Sequence, residues 1–313
     1  MKLAFFDDFR LGIVTGDAIR DVSALVHDIA HTGPHNLISG LIARFAEYRP
    51  RLAAASGATV PLASVRLRPP LPKPGNIVCM AVNYMEDGTR TEPAAINAFH
   101  KAATAVIGPG DTMVLPDVAA SIFEGEAEMA VVIGKRAKHV PAAEAMGHIF
   151  GYMNFIDGSA RGMVPANNSF FQMKSRDTFA PIGPWIVTAD EIADPLNLRV
   201  RLWNNGVIKQ DFSTSDMAHK IARCIEWVSS VHTLLPGDIL ATGTNHRGLH
   251  AFQDGDTVEL EVEHVGKLSI TVRDALKRTW GRDTRLERAG LTPETSPQLT
   301  GKYAPANTRR PEA

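Results

Sequence analysis

Three glutamates in the segment Phe123–Lys135 have the residue type and the spacing for metal chemistry. Glu124, Glu126 and Glu128 are separated by single small residues, and the apolar run Ala130–Ile133 follows them. This alternation of period two predicts a β-strand on which the three carboxylates share one face, about 7 Å apart. Three like charges in a row are costly unless water or a cation neutralises them. The segment is therefore either a solvated strand face or a site for a hard divalent ion such as Mg²⁺ or Mn²⁺.

Three further segments carry residues that could complete such a site. Asp157 ends an apolar strand in GYMNFIDGSARG and is either a turn residue or a third metal ligand. Lys174 lies in the apolar and aromatic segment FFQMKSRDTFAPIGPW, either as a snorkelling surface group or as a cation that faces a developing anion. Thr242–Asn245, with the sequence TGTN, is either an ordinary β-turn or a source of hydroxyl and N–H groups for a ligand.

The N-terminal residues predict a small α+β domain over residues 1–68. Short strands joined by turns fill residues 1–30, and apolar residues spaced three and four apart predict one helix over Asn36–Ala55. The segment Arg68–Gly75 contains four prolines, which can neither continue a helix nor sit inside a sheet. We therefore assign residues 69–75 to a proline-rich linker.

Residues 76–276 predict a strand-rich main domain that would position the acidic strand. A polar loop, Asn83–Glu92, follows a buried strand, and helices are expected over Ala94–Ala103 and Asp216–Thr233. Predominantly short strands with few helices indicate a mixed, β-rich α+β fold rather than a doubly wound α/β sheet. Residues 277–313 are polar, aperiodic and proline-containing, so we expect a loosely ordered C-terminal tail.

Composition excludes several classes of function. The 313 residues carry a formal net charge of −1 with both signs interspersed, which gives no electrostatic case for binding nucleic acid or an anionic membrane. The apolar runs are far shorter than the roughly 20 residues that a membrane span needs. The two cysteines, Cys79 and Cys224, lie in apolar stretches and are typical of buried thiols in a reducing compartment. We therefore expect a soluble, cytoplasmic protein.

Seven segments together resemble the fumarylacetoacetate hydrolase family, over residues 73–274. Each is weak evidence alone, but all occur in the order of the family pattern. They are NIVCMAVNY, HKAATAVIGPGD, EGEAEMAVVIGK, GYMNFIDGSAR, QMKSRDTFAPIGPWIVT, NNGVIKQDFSTSDM and LLPGDILATGT. The resemblance implies a β-sandwich or roll like the family's C-terminal domain. It also implies a homodimer, a small-molecule substrate, and Mg²⁺ or Mn²⁺ at the mouth of a cavity.

The resemblance also implies roles for individual residues. The metal ligands carried over are Glu126, Glu128 and Asp157, with Glu124 as a neighbouring or solvated acid. Lys174 matches the family's active-site lysine. The substrate-binding candidates are Thr244, Gln210, Arg161 and Tyr84. Lys101 matches a lysine of the pattern to which we assign no role.

The chain departs from the family pattern where hydrolytic members activate water. Asp87 stands where the pattern has a histidine, and Val164 stands where it has a glutamine that helps to position the water. Glu86 and Asp87 are the candidate replacements for the missing base, although neither acid matches an imidazole poised near neutral pH. His100, His246 and His250 could substitute for it if the fold brought one of them close.

Three hypotheses follow for function. The first is a metal-dependent hydrolase that cleaves a C–C bond in an acylpyruvate, 2-oxo acid or 1,3-dicarbonyl substrate, in catabolism of aromatic compounds or sugar acids. The second is an isomerase, tautomerase, decarboxylase or dehydratase that needs only a stabilised enolate. The third is an inactive metal-binding scaffold, against which Lys174 argues because a structural metal does not require it. We prefer the hydrolase, with the loop Asn83–Glu92 as a lid over the site.

Overall fold

The structure is a computed structural model that describes residues 1–164, 170–288, 290–293 and 295–305. The strands in these ranges are β1 Lys2–Phe6, β2 Arg10–Thr15, β3 Ala18–Asp21, β4 Val60–Pro61, β5 Leu67–Arg68, β6 Ile77–Met80, β7 Ala98–His100, β8 Val106–Ile107, β9 Thr112–Leu115, β10 Phe123–Ile133, β11 Ile149–Ala160, β12 Ala180–Thr188, β13 Arg199–Asn204, β14 Val207–Ser213, β15 Ile239–Ala241, β16 Thr257–Val262, β17 Gly266–Asp274, β18 Thr279–Trp280 and β19 Gln298–Thr300. The helices are α1 Pro34–Ala43, α2 Phe45–Ala53, α3 Ala142–Ala145, α4 Phe170–Lys174 and α5 Ile221–Val231. Within the described ranges, no helix has the length and apolar character needed to cross a membrane.

Most strands belong to two sheets that pack face to face. The larger sheet has twelve strands, with the order β4-β3-β2-β1-β12-β11-β10-β15-β6-β7; in addition, β5 pairs with β1 and β8 pairs with β12. The smaller sheet has five strands in the order β14-β13-β16-β17-β9. Alternate side chains of β13, β16 and β17 are buried, as expected for strands with one face on a core. This mixed, sheet-rich architecture confirms the predicted fold class.

The acidic strand β10 lies inside the larger sheet, between β11 and β15. All eleven of its residues are buried. Its odd-numbered residues, such as Met129 and Val131, pack in the core that the smaller sheet covers, whereas Ala130 and Val132 pack in the core on the other face. The three glutamates are at even-numbered positions, like Ala130. Because side chains alternate between the two faces of a strand, the three glutamates share one face, as predicted.

The strands of residues 1–68 extend the larger sheet, because β1 pairs with β12. The helix predicted over Asn36–Ala55 is two helices, α1 and α2, since Arg44 between them leaves the helical region with φ −115° and ψ 22°. The boundaries proposed for this domain and for the proline-rich linker remain predictions.

Two helix predictions in the main domain need correction. Residues 98–100 within the predicted helix Ala94–Ala103 form strand β7 instead, because pairing with β6 outweighs the local helix preference of alanine. The helix predicted from Asp216 begins at Ile221. A 3₁₀ turn over Thr214–Asp216, capped by the side chain of Ser213, occupies the preceding residues.

The C-terminal segment contains paired strands and several buried side chains, in contrast to the loose tail that its composition predicts. Strands β18 and β19 pair with each other, and Trp280 is buried with its Nε1 donating to the carbonyl of Ser121 at 2.6 Å. The fully buried guanidinium of Arg278 donates to both carboxylate oxygens of Asp274 at 2.9 and 3.0 Å. Residues 289, 294 and 306–313 of the predicted tail lie outside the described residues.

We predict that Arg278→Leu lowers the free energy of unfolding by about 3–5 kcal/mol, because it leaves the carboxylate of Asp274 buried without its cation. Urea denaturation followed by tryptophan fluorescence measures the change. Lys277→Met is the matched control. The side chain of Lys277 is 72% exposed and forms an ion pair with Asp254, so its removal should cost less than about 1 kcal/mol. Equal effects of the two substitutions would contradict the packing described for this segment.

Candidate metal centre

Three buried carboxylates converge at the middle of the larger sheet. Glu126 on β10 lies directly opposite Asp157 on β11, and Glu128 is the next residue along β10 on the same face. One carboxylate oxygen from each residue lies within 4.8 Å of those of the other two. The structure therefore brings together the acidic residues that the sequence predicted as metal ligands.

Two buried lysines contact this triad. Lys174 Nζ lies 2.6 Å from Glu126 Oε1 and 2.5 Å from Asp157 Oδ2. Lys101 Nζ lies 2.5 Å from Asp157 Oδ1 and 3.1 Å from the carbonyl of Gly158. Burial lowers the pKa of Lys174, but the charges of Asp157 and Glu126 outweigh burial and hold that pKa above its usual value. Asp157 thus fixes the position of both lysine side chains.

Arg161 joins the triad to a fourth buried acid. Its guanidinium donates to Glu126 Oε1 and, through Nε, to Glu124 Oε2 at 3.0 Å. Glu124 also accepts from Arg285, at 2.9 and 2.8 Å to its two oxygens. Glu124 is therefore a buried, ion-paired acid next to the triad and not a solvated one. Although burial favours the neutral form of Glu126, the charges of Lys174 and Arg161 hold its pKa well below the usual range.

Glu128 is the carboxylate that the protein leaves uncompensated. Its Oε2 accepts from the backbone N–H of Gly243 at 2.7 Å, but its buried Oε1 has no hydrogen-bond partner among the described residues. Burial, with the charges of Asp157 and Glu126, raises the pKa of Glu128 well above its usual value. A buried oxygen without a partner and an all-carboxylate donor set fit a hard divalent cation. Glu126, Glu128 and Asp157 would hold it.

The TGTN segment runs beside β10 and fixes the backbone of the acidic strand. Thr242 Oγ1 donates to the carbonyl of Met129 at 2.8 Å, and Thr244 Oγ1 donates to the carbonyl of Ala127 at 2.7 Å. Gly243 between them has φ +87°, and a Cβ there would lie 3.0 Å from the Cβ of Asn83. Glycine is therefore required where the backbone N–H turns toward Glu128.

Gln210 closes the same region from the smaller sheet. Its Oε1 accepts from the N–H of Ala127 at 3.0 Å, and its Nε2 donates to Thr244 Oγ1 at 2.9 Å and to the carbonyl of Asn245 at 2.8 Å. The polar atoms of Gln210 are thus all engaged, and its amide links the acidic strand to the TGTN segment.

The fold places an acid and a histidine together beside the triad. Glu86 Oε1 lies 2.6 Å from His246 Nδ1, and Glu86 Oε2 accepts from the backbone N–H of His246 at 2.7 Å. His246 directly follows the TGTN segment, which lies beside β10 through the hydrogen bonds of Thr242 and Thr244. Of the two candidate acids in this loop, Glu86 is buried, whereas Asp87 is exposed and pairs with Arg247 at 3.2 Å.

Three other predicted residues, Tyr84, Val164 and His250, make no hydrogen bond to the triad among the described contacts. The ring of Tyr84 is fully buried against Phe212, with ring centroids 5.1 Å apart. Val164 is 77% exposed. His250 is buried against Asn204, and burial lowers the pKa of His250 to about 4.

Among the predicted histidines, the ring of His100 lies beside that of His232, with centroids 5.1 Å apart and planes tilted by 40°. Its backbone carbonyl accepts from Ser175 Oγ at 3.0 Å.

Sequence reasoning missed three contacts at this site. The contact of Lys101 with Asp157 was missed because Lys101 had been given no role. The contact of Glu86 with His246 joins residues 160 positions apart. The contact of Arg285 with Glu124 was missed because Arg285 had been assigned to the loose tail. A lysine inside the apolar segment FHKAAT was the one local signal, because lysine is rarely buried without a partner.

Comparisons with known proteins relate this chain to one family. The family model described as fumarylacetoacetate (FAA) hydrolase C-terminal matches residues 76–273. Maleylpyruvate hydrolase of Aquipseudomonas alcaligenes is 32% identical over 293 residues, covering 87% of this chain and 99% of that protein. The mitochondrial oxaloacetate tautomerase Fahd2a of Rattus norvegicus is 37% identical over 228 residues, covering 69% of this chain and 72% of that protein.

A solved structure is similar over most of the chain. Maleylpyruvate hydrolase from Sphingobium sp. SYK-6, in complex with manganese(II) ion and pyruvate, superimposes with a TM-score of 0.79 at 37% sequence identity. The match covers 88% of this chain and 99% of that one.

We predict that Glu128→Gln weakens Mn²⁺ binding by at least about tenfold and also stabilises the metal-free protein. The glutamine amide keeps an acceptor for Gly243 but removes the carboxylate oxygen whose lack of a partner costs on the order of 1–3 kcal/mol. Calorimetric Mn²⁺ titration and thermal unfolding in EDTA measure the two effects. Unchanged Mn²⁺ affinity, or a lower melting temperature in EDTA, would refute this role for Glu128.

Proposed function

The chain belongs to the fumarylacetoacetate hydrolase family, and from that premise we propose that it is a divalent-metal-dependent hydrolase of acylpyruvate-type substrates. It would cleave a C–C bond in a 2-oxo acid or 1,3-dicarbonyl compound, in catabolism of aromatic compounds or sugar acids. The observation that carries this proposal is the buried triad of Glu126, Glu128 and Asp157 with Lys174 on two of its carboxylates. The cofactor would be Mg²⁺ or Mn²⁺.

The groups at the triad support a 2-oxo acid as the substrate. A divalent ion in the triad supplies Lewis acidity to oxygens of such a substrate. Lys174 places an ammonium group beside the same position, where it can donate to the charge that develops on the 2-oxo acid fragment. One preorganised donor of this kind typically contributes about 10²–10³ in rate. The manganese(II) and pyruvate in the Sphingobium structure support this choice, because pyruvate is a 2-oxo acid.

The proton-transfer role falls to His246, oriented by Glu86. With Nδ1 held by the carboxylate, Nε2 is the nitrogen left to take a proton from water. The resulting hydroxide adds to the acyl carbonyl carbon, the C–C bond to the pyruvate methylene breaks, and its electron pair leaves on the pyruvate fragment. The imidazolium then donates its proton to the methylene carbon of the pyruvate fragment. The products are a carboxylic acid and pyruvate, which balances one acylpyruvate and one water.

Four residues remain as substrate-binding candidates, with different parts to play. We assign the direct contact to Arg161, whose guanidinium lies beside Glu126 with part of its surface exposed. Thr244 and Gln210 hydrogen-bond each other and β10, so their part is to hold the wall of the site. Tyr84 is buried two residues before Glu86, so its part would be to anchor their shared loop in the core. A homodimer and a cytoplasmic location remain expectations from the sequence.

A tautomerase is the second candidate. The relative from Rattus norvegicus is named an oxaloacetate tautomerase, and the same Glu86–His246 pair could move a proton between carbon and oxygen without adding water. An inactive scaffold is disfavoured, because a structural metal alone does not require Lys101 and Lys174 to be buried on its ligands.

We predict that the purified protein with Mn²⁺ converts acylpyruvates to pyruvate and a carboxylic acid in water enriched in ¹⁸O. One ¹⁸O atom should appear in the new carboxylate, as detected by mass spectrometry, and EDTA should abolish the reaction. In a parallel reaction in D₂O, exchange of the methylene protons faster than in an enzyme-free control, without cleavage, would instead establish the tautomerase. Oxaloacetate belongs in the same screen, since release of carbon dioxide from it would reveal decarboxylation.

We predict that His246→Gln lowers hydrolysis by about 10²–10⁴, the usual contribution of a positioned general base. Glu86→Gln should lower it less, because the amide can still orient the imidazole. Asp87→Asn is the matched control from the same loop, and we expect less than about a twofold change because Asp87 is exposed and faces Arg247. A larger loss with Asp87→Asn than with His246→Gln would exchange the roles of these residues.

A further inference from the structure

Arg285 lies outside the region that the family model matches, which ends at residue 273, yet its guanidinium reaches the metal strand. We infer that Arg285 is a positioning residue for the metal centre: by holding Glu124, it leaves the guanidinium of Arg161 free to pair with Glu126. This inference rests on the proposed function, since it concerns the same site.

The first step concerns the charge of Glu124, which is 2% exposed. A buried carboxylate needs cationic or hydrogen-bonding partners to offset the water that it has lost. Arg161 Nε supplies one contact at 3.0 Å, and Arg285 supplies two, to both carboxylate oxygens. Most of the compensation of Glu124 therefore comes from the C-terminal segment.

The second step concerns Arg161, whose guanidinium is shared between two acids. Its Nε donates to Glu124, and its other nitrogen donates to the metal-ligand candidate Glu126. Without Arg285, the carboxylate of Glu124 would have Arg161 as its remaining cation. A guanidinium prefers to meet one carboxylate with two parallel N–H groups. Arg161 would then turn away from Glu126 and from the substrate position.

The third step concerns how Arg285 is itself held. Its backbone N–H donates to the carbonyl of Leu249 at 3.2 Å, and the N–H of Leu286 donates to the carbonyl of Arg247 at 2.8 Å. The segment is thus fixed to the loop that begins with His246. The side-chain hydrogen bonds of Arg285 within the described residues all go to Glu124. Replacing its guanidinium therefore removes partners from one acid alone, which makes the test specific.

Arg285→Gln should change metal and substrate binding in opposite directions. Loss of one nearby positive charge, and release of Glu126 from Arg161, should strengthen Mn²⁺ binding by about three- to tenfold, the scale of couplings within one ionic network. Loss of Arg161 from the substrate position should raise KM for an acylpyruvate, with a smaller effect on kcat. Arg288→Gln is the matched control, because it makes the same charge change on the same segment at an exposed residue.

The experiment is calorimetric Mn²⁺ titration of the metal-stripped full chain, with KM, kcat and melting temperature measured on the same samples. Adding Glu124→Gln to Arg285→Gln should return Mn²⁺ affinity and KM toward the values for Glu124→Gln alone, because Glu124 then no longer draws Arg161 away. The inference would be overturned if the Arg285→Gln and Arg288→Gln variants had the same Mn²⁺ affinity and the same KM and differed only in melting temperature.

Two further outcomes keep the test decisive. If Arg285→Gln alone does not fold, the comparison is made on the Glu124→Gln background. There Arg285→Gln should change Mn²⁺ affinity by less than about twofold, and a larger change would overturn the inference. Failure of the unsubstituted protein to bind Mn²⁺ would overturn the proposed metal centre itself, and is distinct from normal binding that Arg285 does not influence.

Discussion

The burial of acidic groups on two paired strands is the constraint on which the rest of the site depends. Glu124, Glu126 and Glu128 lie on β10 and Asp157 lies on β11, and all four are almost fully removed from water. Each buried charge requires a nearby opposite charge or several hydrogen bonds. Among the described residues, these partners reach three of the four acids, and one oxygen of Glu128 has none. In the proposed metal centre, a cation would meet that oxygen.

The compensating cations come from segments that are distant in sequence, and this explains much of the architecture around the sheet. Lys101 follows strand β7, Lys174 ends helix α4, Arg161 follows β11 and Arg285 comes from the C-terminal segment. Hydrogen bonds on both sides hold β10 in place, from β11 and from β15 with the TGTN segment that follows it. The carboxylates thus sit on a rigid support, which suits chemistry that needs fixed distances between charges.

The sequence was sufficient for features that depend on local pattern. The alternation in FEGEAEM predicted strand β10 and its acidic face, because the pleat of a strand has a fixed period. Family-like segments identified Asp157 as the third acid of the triad and Lys174 as an active-site lysine, and the structure places the two in contact. Residues 98–100 were misassigned to a helix, because pairing with a neighbouring strand decided their conformation and left no mark in the local composition.

Contacts between distant segments could not be predicted in this way. The pairing of Glu86 with His246 depends on two loops meeting, and no spacing between them in the chain signals it. The C-terminal segment was misjudged for a related reason. It is held by specific ionic contacts and single buried side chains, such as those of Arg278 and Trp280, and not by a periodic apolar stripe. Periodicity detects regular elements, and this segment has almost none.

The acid–histidine pair is the end of the site from which electrons would flow in the proposed reaction. Glu86 holds one imidazole nitrogen of His246 at 2.6 Å. The pair therefore joins the loop Asn83–Glu92, which carries Glu86, to the residues that follow the TGTN segment beside the metal strand. Lys174 contacts the triad through Glu126 and Asp157. In the proposed reaction, electrons would flow from the base toward these cations. Hydrolysis and tautomerisation share this polarity, and whether water can reach the carbon beside His246 decides between them.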